Sequence, residues 1–422
     1  MKTEKHALGR FSVRISAGSA QKKNAPVASK TPAISAPRRR ENGVCPVAGK
    51  CGGCALQGVA YAEQLRRKQR AIEELLRDFG GNVRPIIGME NPFHYRNKIH
   101  ATFSRRRDGS LVSGIYSEGT HCVVPVDSCQ IEDEKADEIV ADLRRLFKSF
   151  KIKIYDERTG EGLLRHVLIR RAHATGQVML VPVLTSPVMP SKNNFVRAIR
   201  ELHPEIATIV INVNSADTSM VLGEREFVAF GKGFIEDVLC GKTFRISPRS
   251  FYQVNSVQTE KLYATAIELA GLCGSERVID AYCGIGTIGI VAAARAGEVV
   301  GIELNPDAVR DAAKNAKING VKNIAFAQGD AGEIMTQMAG EGVPADVVFM
   351  DPPRSGSTPE FLNALAHLKP GKIVYISCNP ETLARDLRRL CGNGYTLREI
   401  APVDMFPFTE HVETVALLTR TR

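Results

Sequence analysis

The feature that most constrains the fold is an alternation of apolar strand-like segments with helical ones, which begins at about Ile246. Strands alternating with helices are typical of an α/β domain, in which helices cover a mostly parallel sheet. Residues 246–422 are therefore predicted to form a Rossmann-like α/β domain. The strands predicted in this region have the sequences RVIDAY, VVGIEL, ADVVFM, KIVYIS and VETVALL.

Three further regions precede this domain. Residues 86–245 form a predicted β-rich α+β domain, in which GLLRHVLIRRAHATGQVMLVPVL and ATIVINVNSADTSMVLG each indicate a pair of strands. Residues 41–85 contain a cysteine cluster and then a helix at about 61–79, whose apolar face is predicted to comprise Leu65, Ile72, Leu75 and Leu76. Residues 1–40 form a predicted disordered basic tail.

The positive charge of the chain is concentrated in this tail. Ten of the 56 Lys and Arg residues, but only one of the 46 Asp and Glu residues, lie in residues 1–40, so the tail carries +9 of the net +10. The tail is interpreted as a solubilising extension, a non-specific RNA-tethering arm or an organellar transit peptide. No apolar run reaches the ~18 residues of a membrane span, and no secretory signal is visible, so a cytoplasmic protein is expected.

Residues 280–289, DAYCGIGTIG, combine a predicted strand end with the spacing G-x-G-x-x-G, and Glu303 ends the next strand. Glycines in such a turn let the backbone approach a nucleotide, and the acid is placed for a ribose hydroxyl. This pattern fits either NAD or S-adenosylmethionine (SAM). The acids Asp280, Asp330 and Asp351, which lie at or just beyond strand ends, favour the cationic SAM.

A candidate nucleophile lies at the same predicted edge. Cys378 follows the strand KIVYIS, and the carboxyl ends of strands in an open α/β sheet form one ligand-binding edge. Its thiol would be nucleophilic where positive neighbours raise the thiolate fraction. A buried structural cysteine is the alternative, and Cys283 in the glycine turn is expected to have such a packing role.

The remaining motif is the spacing C-x5-C-x2-C formed by Cys45, Cys51 and Cys54. Ten cysteines in 422 residues, without a secretory signal, do not indicate a secreted disulfide framework. Three clustered thiols need a distant fourth ligand to make a four-thiolate site, which suits either zinc or a [4Fe–4S] cluster.

Five motifs together resemble the RNA uracil-5 methyltransferases, which make 5-methyluridine in ribosomal and transfer RNA. The resemblance covers about residues 43–422, and its motifs are FYQVN at 251–255, DAYCGIG at 280–286, DPPR at 351–354, SCNPET at 377–382 and HVETV at 411–415. It implies a class I SAM methyltransferase domain, a central RNA-recognition domain and an N-terminal iron–sulfur segment.

The resemblance also implies a mechanism and its residues. Cys378 would add to C6 of uracil, and Glu413 would remove the C5 proton after methylation, although Glu410 and His411 are neighbours and Glu413 could instead be a surface acid. The implied SAM contacts are Gln253, Tyr282, Glu303 and Asp351, with Asp330 as a weaker one. Thr287 stands where related members have Asn, so that contact is left open.

The resemblance favours [4Fe–4S] over zinc and assigns Cys129 as its fourth ligand, with Cys122 as the local competitor. Iron–sulfur members are typical of ribosomal enzymes, so 23S rRNA is the expected substrate and tRNA the alternative. Residues 1–40 are too short for the small β-barrel RNA-binding domain (TRAM) of many ribosomal members. The sequence suggests no membrane contact and no obligate protein partner.

Other functions compatible with the sequence are methylation of an exocyclic amino group, a non-catalytic iron–sulfur RNA-binding protein and an NAD-dependent oxidoreductase. Two patches are candidates for phosphate binding, and either could instead be a solvated strand face. They are Arg105–Arg107, and Arg165 and His166 together with Arg170 and Arg171.

Overall fold

The computed structural model describes residues 45–421 except Glu118, Asp217 and Ser219, so the predicted basic tail lies outside the described residues. The described residues belong to one compact unit. None of their helices is both long and apolar enough to cross a membrane.

The described secondary structure consists of the following helices and strands. The helices are α1 (Ala48–Cys51), α2 (Tyr61–Leu76), α3 (Glu134–Ser149), α4 (Lys192–Leu202), α5 (Ser256–Ala270), α6 (Thr287–Ala292), α7 (Pro306–Ile318), α8 (Ala331–Gly340), α9 (Pro359–Leu368) and α10 (Pro380–Gly392), and a 3-10 turn spans Arg77–Phe79. The strands are β1 (Asn82–Val83), β2 (Lys98–Arg105), β3 (Leu111–Tyr116), β4 (Val123–Pro125), β5 (Leu164–Arg171), β6 (Val178–Leu184), β7 (Ile206–Val213), β8 (Arg225–Phe230), β9 (Ile235–Leu239), β10 (Lys242–Ile246), β11 (Arg277–Ala281), β12 (Glu298–Glu303), β13 (Ile324–Gln328), β14 (Val347–Met350), β15 (Lys372–Ser377), β16 (Tyr395–Val403) and β17 (Glu413–Arg420).

The C-terminal region forms the predicted Rossmann-like α/β fold. Its eight-stranded sheet has the order β1-β16-β17-β15-β14-β11-β12-β13, and β17 runs antiparallel to both of its neighbours while the other pairs are parallel. All four residues of β14 are buried, as expected for a strand covered by helices on both faces. The carboxyl ends of β11, β12, β14 and β15 therefore lie at one edge of the sheet.

The central region forms a seven-stranded sheet with the order β4-β3-β2-β5-β6-β7-β8, antiparallel except for the pair β6 and β7. Helices α3 and α4 contribute Leu143, Phe147 and Phe195 to the core on one of its faces. The predicted pair β5 and β6 is confirmed. The predicted second strand at MVLG is wrong, because the side chains of Asn212 and Asn214 bind the backbone of this segment and hold it as a loop.

The N-terminal helix packs against the C-terminal region. β1 pairs with β16, and the buried residues of α2 are Gln64, Lys68, Ile72 and Leu76. The prediction that Leu75 belongs to the buried face is wrong, since its side chain is 37% exposed. Spacing of four residues, rather than apolar character alone, determines which side of this helix is buried.

Ile72 is expected to contribute strongly to the stability of this contact. Its side chain is 1% exposed in a core shared with β15 and β17, so Ile72→Ala should lower the free energy of unfolding by about 2–5 kcal/mol. Leu75→Ala, on the outer side of the same helix, should change it by less than about 0.5 kcal/mol. Denaturant unfolding of the two variants measures the difference, and equal effects would contradict the packing described here.

Candidate active site

A recess lies at the carboxyl edge of the eight-stranded sheet. The glycine turn between β11 and α6 forms one wall, with Tyr282, Gly284 and Gly286 all in the left-handed region at φ of 63°, 56° and 81°. A Cβ atom on Gly286 would lie 3.0 Å from the Phe326 ring, so close packing as well as φ requires glycine there. Other lining residues are Phe251, Gln253, Tyr263, Thr287 and Asp351.

Two predicted acids hold this turn in place. Asp280 accepts a hydrogen bond from the Gly289 N–H at 2.8 Å, and burial raises the pKa of its carboxyl to about 7. Glu303 uses both carboxylate oxygens, accepting from the Gly284 N–H at 3.0 Å and the Asn305 N–H at 2.8 Å. The glycine turn and the end of β12 are thus joined through Glu303, whose carboxylate is fixed beside the recess.

Of the remaining predicted cofactor residues, Gln253 and Tyr282 line the recess and Asp330 does not. Gln253 is buried in the lining, and its backbone carbonyl accepts a hydrogen bond from Asn97. Tyr282 lines the recess and packs its ring against Phe361. Asp330 instead caps α8 by accepting from two backbone N–H groups, and it lies outside the lining. Asp330 thus has a structural task that the sequence pattern did not reveal.

Thr287 contacts Tyr263, a lining residue that sequence reasoning missed. The Tyr263 hydroxyl and the Thr287 hydroxyl lie 3.0 Å apart, at the first turn of α6. Tyr263 is buried on α5 within an apolar stretch, so its sequence context indicates only a core residue.

The thiol and carboxyl groups meet where β15 and β17 pair. Ser377 pairs with Thr414, so Cys378, just after β15, lies beside Glu413, the first residue of β17. Glu413 is 2% exposed, and among the described residues its Oε2 has no hydrogen-bond partner. Burial, and then the nearby Asp351, raise the pKa of Glu413 to about 8.

The other two groups of this site are also shifted toward their neutral forms. Burial raises the pKa of Asp351 to about 7. Burial, followed by the charges of Glu413 and Asp351, raises the pKa of the half-buried Cys378 thiol to about 11, whereas Arg354 acts to lower it. A thiol therefore lies beside a carboxyl whose pKa is near neutral pH, an arrangement suited to covalent catalysis with proton removal.

Glu413 differs from the two neighbouring candidates for a base. Glu410 and His411 are both exposed, and the His411 Nδ1 lies 3.1 Å from Arg354 Nη2. Because a guanidinium only donates, this nitrogen of His411 must accept. The geometry therefore favours Glu413, which faces Cys378 in a site shielded from water.

The predicted metal ligands are near one another but do not form a closed site. Cys54 and Cys129 pack against the small cluster of Tyr95, Ile131 and Phe408. Cys45 and Cys51 are close enough to Cys54 to raise its pKa, which burial raises first, to about 11. Within the described ranges, no three Cys, His, Asp or Glu side chains are grouped closely enough to hold a metal ion as placed. Cys122, the competitor of Cys129, is exposed.

Two of the predicted phosphate-binding arginines are structural. Arg165 is buried and donates to the carbonyls of Asn214 and Ala216, and the buried Arg170 donates to the Ser250 carbonyl. Arg171 pairs with Asp133 at 2.7 Å. Of the predicted patches, only Arg105–Arg107 is exposed.

Comparison with known proteins places this chain in a family. Residues 192–421 match the family described as tRNA (Uracil-5-)-methyltransferase. Uncharacterised RNA methyltransferases of Halalkalibacterium halodurans and Caldanaerobacter subterraneus are 43% and 44% identical, each match covering 91% of this chain and 85% of the relative. The crystal structure of the Pyrococcus abyssi tRNA (uracil-54, C5)-methyltransferase in complex with S-adenosyl-L-homocysteine is 32% identical, with a TM-score of 0.73, and the match covers 87% of this chain and 86% of that one. The chain therefore belongs to the tRNA (uracil-5-)-methyltransferase family of SAM-dependent RNA methyltransferases.

Proposed function

We propose that this protein methylates C5 of a specific uridine in 23S rRNA through a covalent adduct between Cys378 and C6 of the base. The observation that carries the proposal is the contact between β15 and β17, which sets Cys378 beside the buried carboxyl of Glu413. Neither methylation of an exocyclic amine nor hydride transfer to NAD requires a cysteine at this position.

SAM, when bound, supplies the methyl group. The recess fits such a ligand, since a fixed carboxylate, Glu303, stands at the end of β12, where a ribose hydroxyl could donate to it. Tyr282, Gln253 and Asp351 are assigned to cofactor binding from their place in the lining. Asp330 is kept as a weaker contact, because its carboxylate already caps a helix.

The protein residues have distinct roles in the reaction. The thiolate form of Cys378, which burial disfavours and the charge of Arg354 favours, attacks C6. Because C6 is conjugated to the O4 carbonyl, this addition makes C5 nucleophilic toward the methyl donor. Glu413, as the carboxylate, then removes the C5 proton, and Cys378 leaves as the C5–C6 double bond re-forms. A raised pKa suits Glu413 to this step, because a stronger base removes a weakly acidic proton more readily.

The target base must leave its stack to reach Cys378. Extrusion of a base costs a few kcal/mol, which favours a uridine in a loop or a single strand. The exposed residues Arg105–Arg107, at the end of β2 and in the turn that follows it, are proposed to bind phosphate.

We also infer that Cys45, Cys51, Cys54 and Cys129 hold a [4Fe–4S] cluster, with zinc as the alternative. The inference is supported by the donor set of four thiols and by the packing of Cys54 and Cys129 against one apolar cluster. Such a cluster, when bound, would link the segment that contains Cys45, Cys51 and Cys54 to Cys129 and so stabilise the fold. Anaerobically purified protein should contain about four iron and four sulfide per chain, with loss of both in Cys129→Ser but not in Cys122→Ser. Zinc without sulfide would favour the alternative.

A second substrate class, tRNA, is favoured by one comparison, since the solved relative from Pyrococcus abyssi acts on tRNA. The deciding experiment transfers labelled methyl groups from SAM to unmodified 23S rRNA and, in parallel, to unmodified tRNA, and then identifies the product base. 5-Methyluridine in 23S rRNA supports the proposal, and 5-methyluridine only in tRNA changes the substrate. No 5-methyluridine in either RNA would overturn the assignment.

A further inference from the structure

We propose that Gln64 and Lys68 of α2 are positioning residues for Glu413, which they hold through the loop that leads into β17. This base loop comprises residues 404–412, between the end of β16 and the start of β17. The inference rests on the proposed function, because it assigns Glu413 the removal of the C5 proton.

Lys68 fixes the first part of the base loop. Its Nζ lies 2.6 Å from Asp404 Oδ1 and 3.1 Å from the Phe406 carbonyl oxygen, and the side chains of Lys68 and Asp404 are 2% and 0% exposed. The Tyr61 hydroxyl, at the start of α2 and about two turns before Lys68, donates to the other carboxylate oxygen of Asp404 at 2.8 Å. A buried carboxylate is thus held from two positions of the same helix.

Gln64 fixes the middle of the loop. Its Oε1 accepts from the Phe408 N–H at 2.8 Å, and its Nε2 donates to the Val59 carbonyl at 2.8 Å. The Phe408 carbonyl accepts from the Leu56 N–H at 2.9 Å. Phe408 has φ of 67°, a left-handed conformation that a bulky residue adopts only where its surroundings hold it.

The restraint continues from Phe408 to the catalytic groups. The Thr409 hydroxyl donates to the Phe406 carbonyl at 2.8 Å and accepts from the His411 N–H at 3.2 Å. Two residues later Glu413 begins β17, which pairs with β15 next to Cys378. The direction in which the chain enters β17, and hence the placement of the Glu413 carboxyl, therefore depends on contacts made by α2.

Ordinary packing would not require these side chains. Gln64 and Lys68 occupy the same buried face of α2 as Ile72 and Leu76, where apolar residues could fill the space without the cost of removing an amide and an ion pair from water. Three of the four hydrogen bonds made by these two side chains go to the base loop, and polar groups buried at this cost serve to fix that loop in a single conformation.

The experiment measures the formation of the covalent Cys378–C6 adduct and its breakdown separately. In the breakdown step, Glu413 takes the C5 proton, the electrons of that bond re-form C5=C6, and the C6–S bond breaks to return the Cys378 thiolate. A transcript with 5-fluorouridine at the target has no C5 proton, so its adduct forms without the base and persists. The corresponding unmodified transcript, of whichever RNA the wild-type protein methylates, requires the base for turnover.

The nearly isosteric Gln64→Met variant is expected to form the 5-fluorouridine adduct at the wild-type rate. On the unmodified transcript the turnover rate of this variant should fall about tenfold or more, which is part of the ~10²–10⁴-fold rate enhancement that a general base contributes. The covalent adduct should accumulate. Lys68→Met should behave in the same way. Arg70→Met, on the exposed side of α2 with only a surface contact to Glu63, is the matched control and should resemble wild type on both transcripts.

Two results would overturn the inference. If the turnover rate of Gln64→Met equals that of Arg70→Met, the contacts of Gln64 serve stability alone. The same conclusion follows if Gln64→Met slows turnover of the unmodified transcript and adduct formation with the 5-fluorouridine transcript equally. Melting temperatures monitor the folding of each variant. If Lys68→Met does not fold, the result for Gln64→Met alone tests the positioning role. If the wild-type protein forms no adduct with the 5-fluorouridine transcript, the proposed function itself fails, which is distinguishable from failure of the positioning role.

Discussion

Replacing Cys378 by alanine is expected to abolish methyl transfer and the covalent RNA adduct, with a loss in rate of at least ~10³-fold. Without the thiolate, C6 of the uracil receives no nucleophile and C5 is too weakly nucleophilic to accept a methyl group. Transfer from labelled SAM and denaturing gel analysis of the protein–RNA adduct measure the two effects.

The matched control is Cys391→Ala, which alters a partly buried cysteine of α10 outside the recess and should retain wild-type activity. The Cys378→Ala protein should still be stabilised by SAM against heat, because its glycine turn is intact. Full activity in Cys378→Ala would contradict covalent catalysis and favour methylation of an exocyclic amine.

The second large effect is expected for Glu413→Gln, which keeps the shape of the side chain but removes the base. Adduct formation should persist while release of methylated RNA slows ~10²–10⁴-fold, so the adduct accumulates. Glu410→Gln, a change at an exposed neighbouring acid, should leave release unchanged. Loss of adduct formation in Glu413→Gln, or normal release, would contradict the assignment of the base.

The raised pKa of Glu413 also gives this step a pH dependence. A carboxyl with a pKa of about 8 is mostly protonated at pH 7, and only the carboxylate can accept the C5 proton. Release of methylated RNA should therefore become faster as the pH rises from 6 to about 8 and then level off. Single-turnover measurements of release should show this rise in the wild-type protein and its absence in Glu413→Gln.

The sequence predicted the C-terminal fold well because buried parallel strands are continuous apolar runs with glycine turns between them. RVIDAY, VVGIEL, ADVVFM and KIVYIS all correspond to observed strands, and VETVALL corresponds to β17. β16 was not predicted, because Glu399 and Pro402 interrupt its apolar pattern. Its place beside β17 comes from tertiary pairing that a local pattern does not carry.

The positions of Glu303, Asp351 and Cys378 at or just beyond strand ends were predicted from the sequence, and the strand bounds confirm these positions. The candidate site was not predictable where a polar residue is buried by distant partners. Arg165 and Arg170 look like a basic surface in the sequence, yet backbone carbonyls far along the chain accept their hydrogen bonds. Gln64 and Lys68 likewise read as the polar side of a helix, because their partners in the base loop lie more than 300 residues away.

The position of β17 inside its sheet has a consequence for biosynthesis. This strand is formed by residues 413–420, yet it lies between β15 and β16, which precede it in the chain. A nascent chain therefore has a gap between β15 and β16 until residues 413–420 have left the ribosome. Glu413 comes to lie beside Cys378 only when β17 enters this gap, so these two residues cannot meet before the last strand of the sheet is in place.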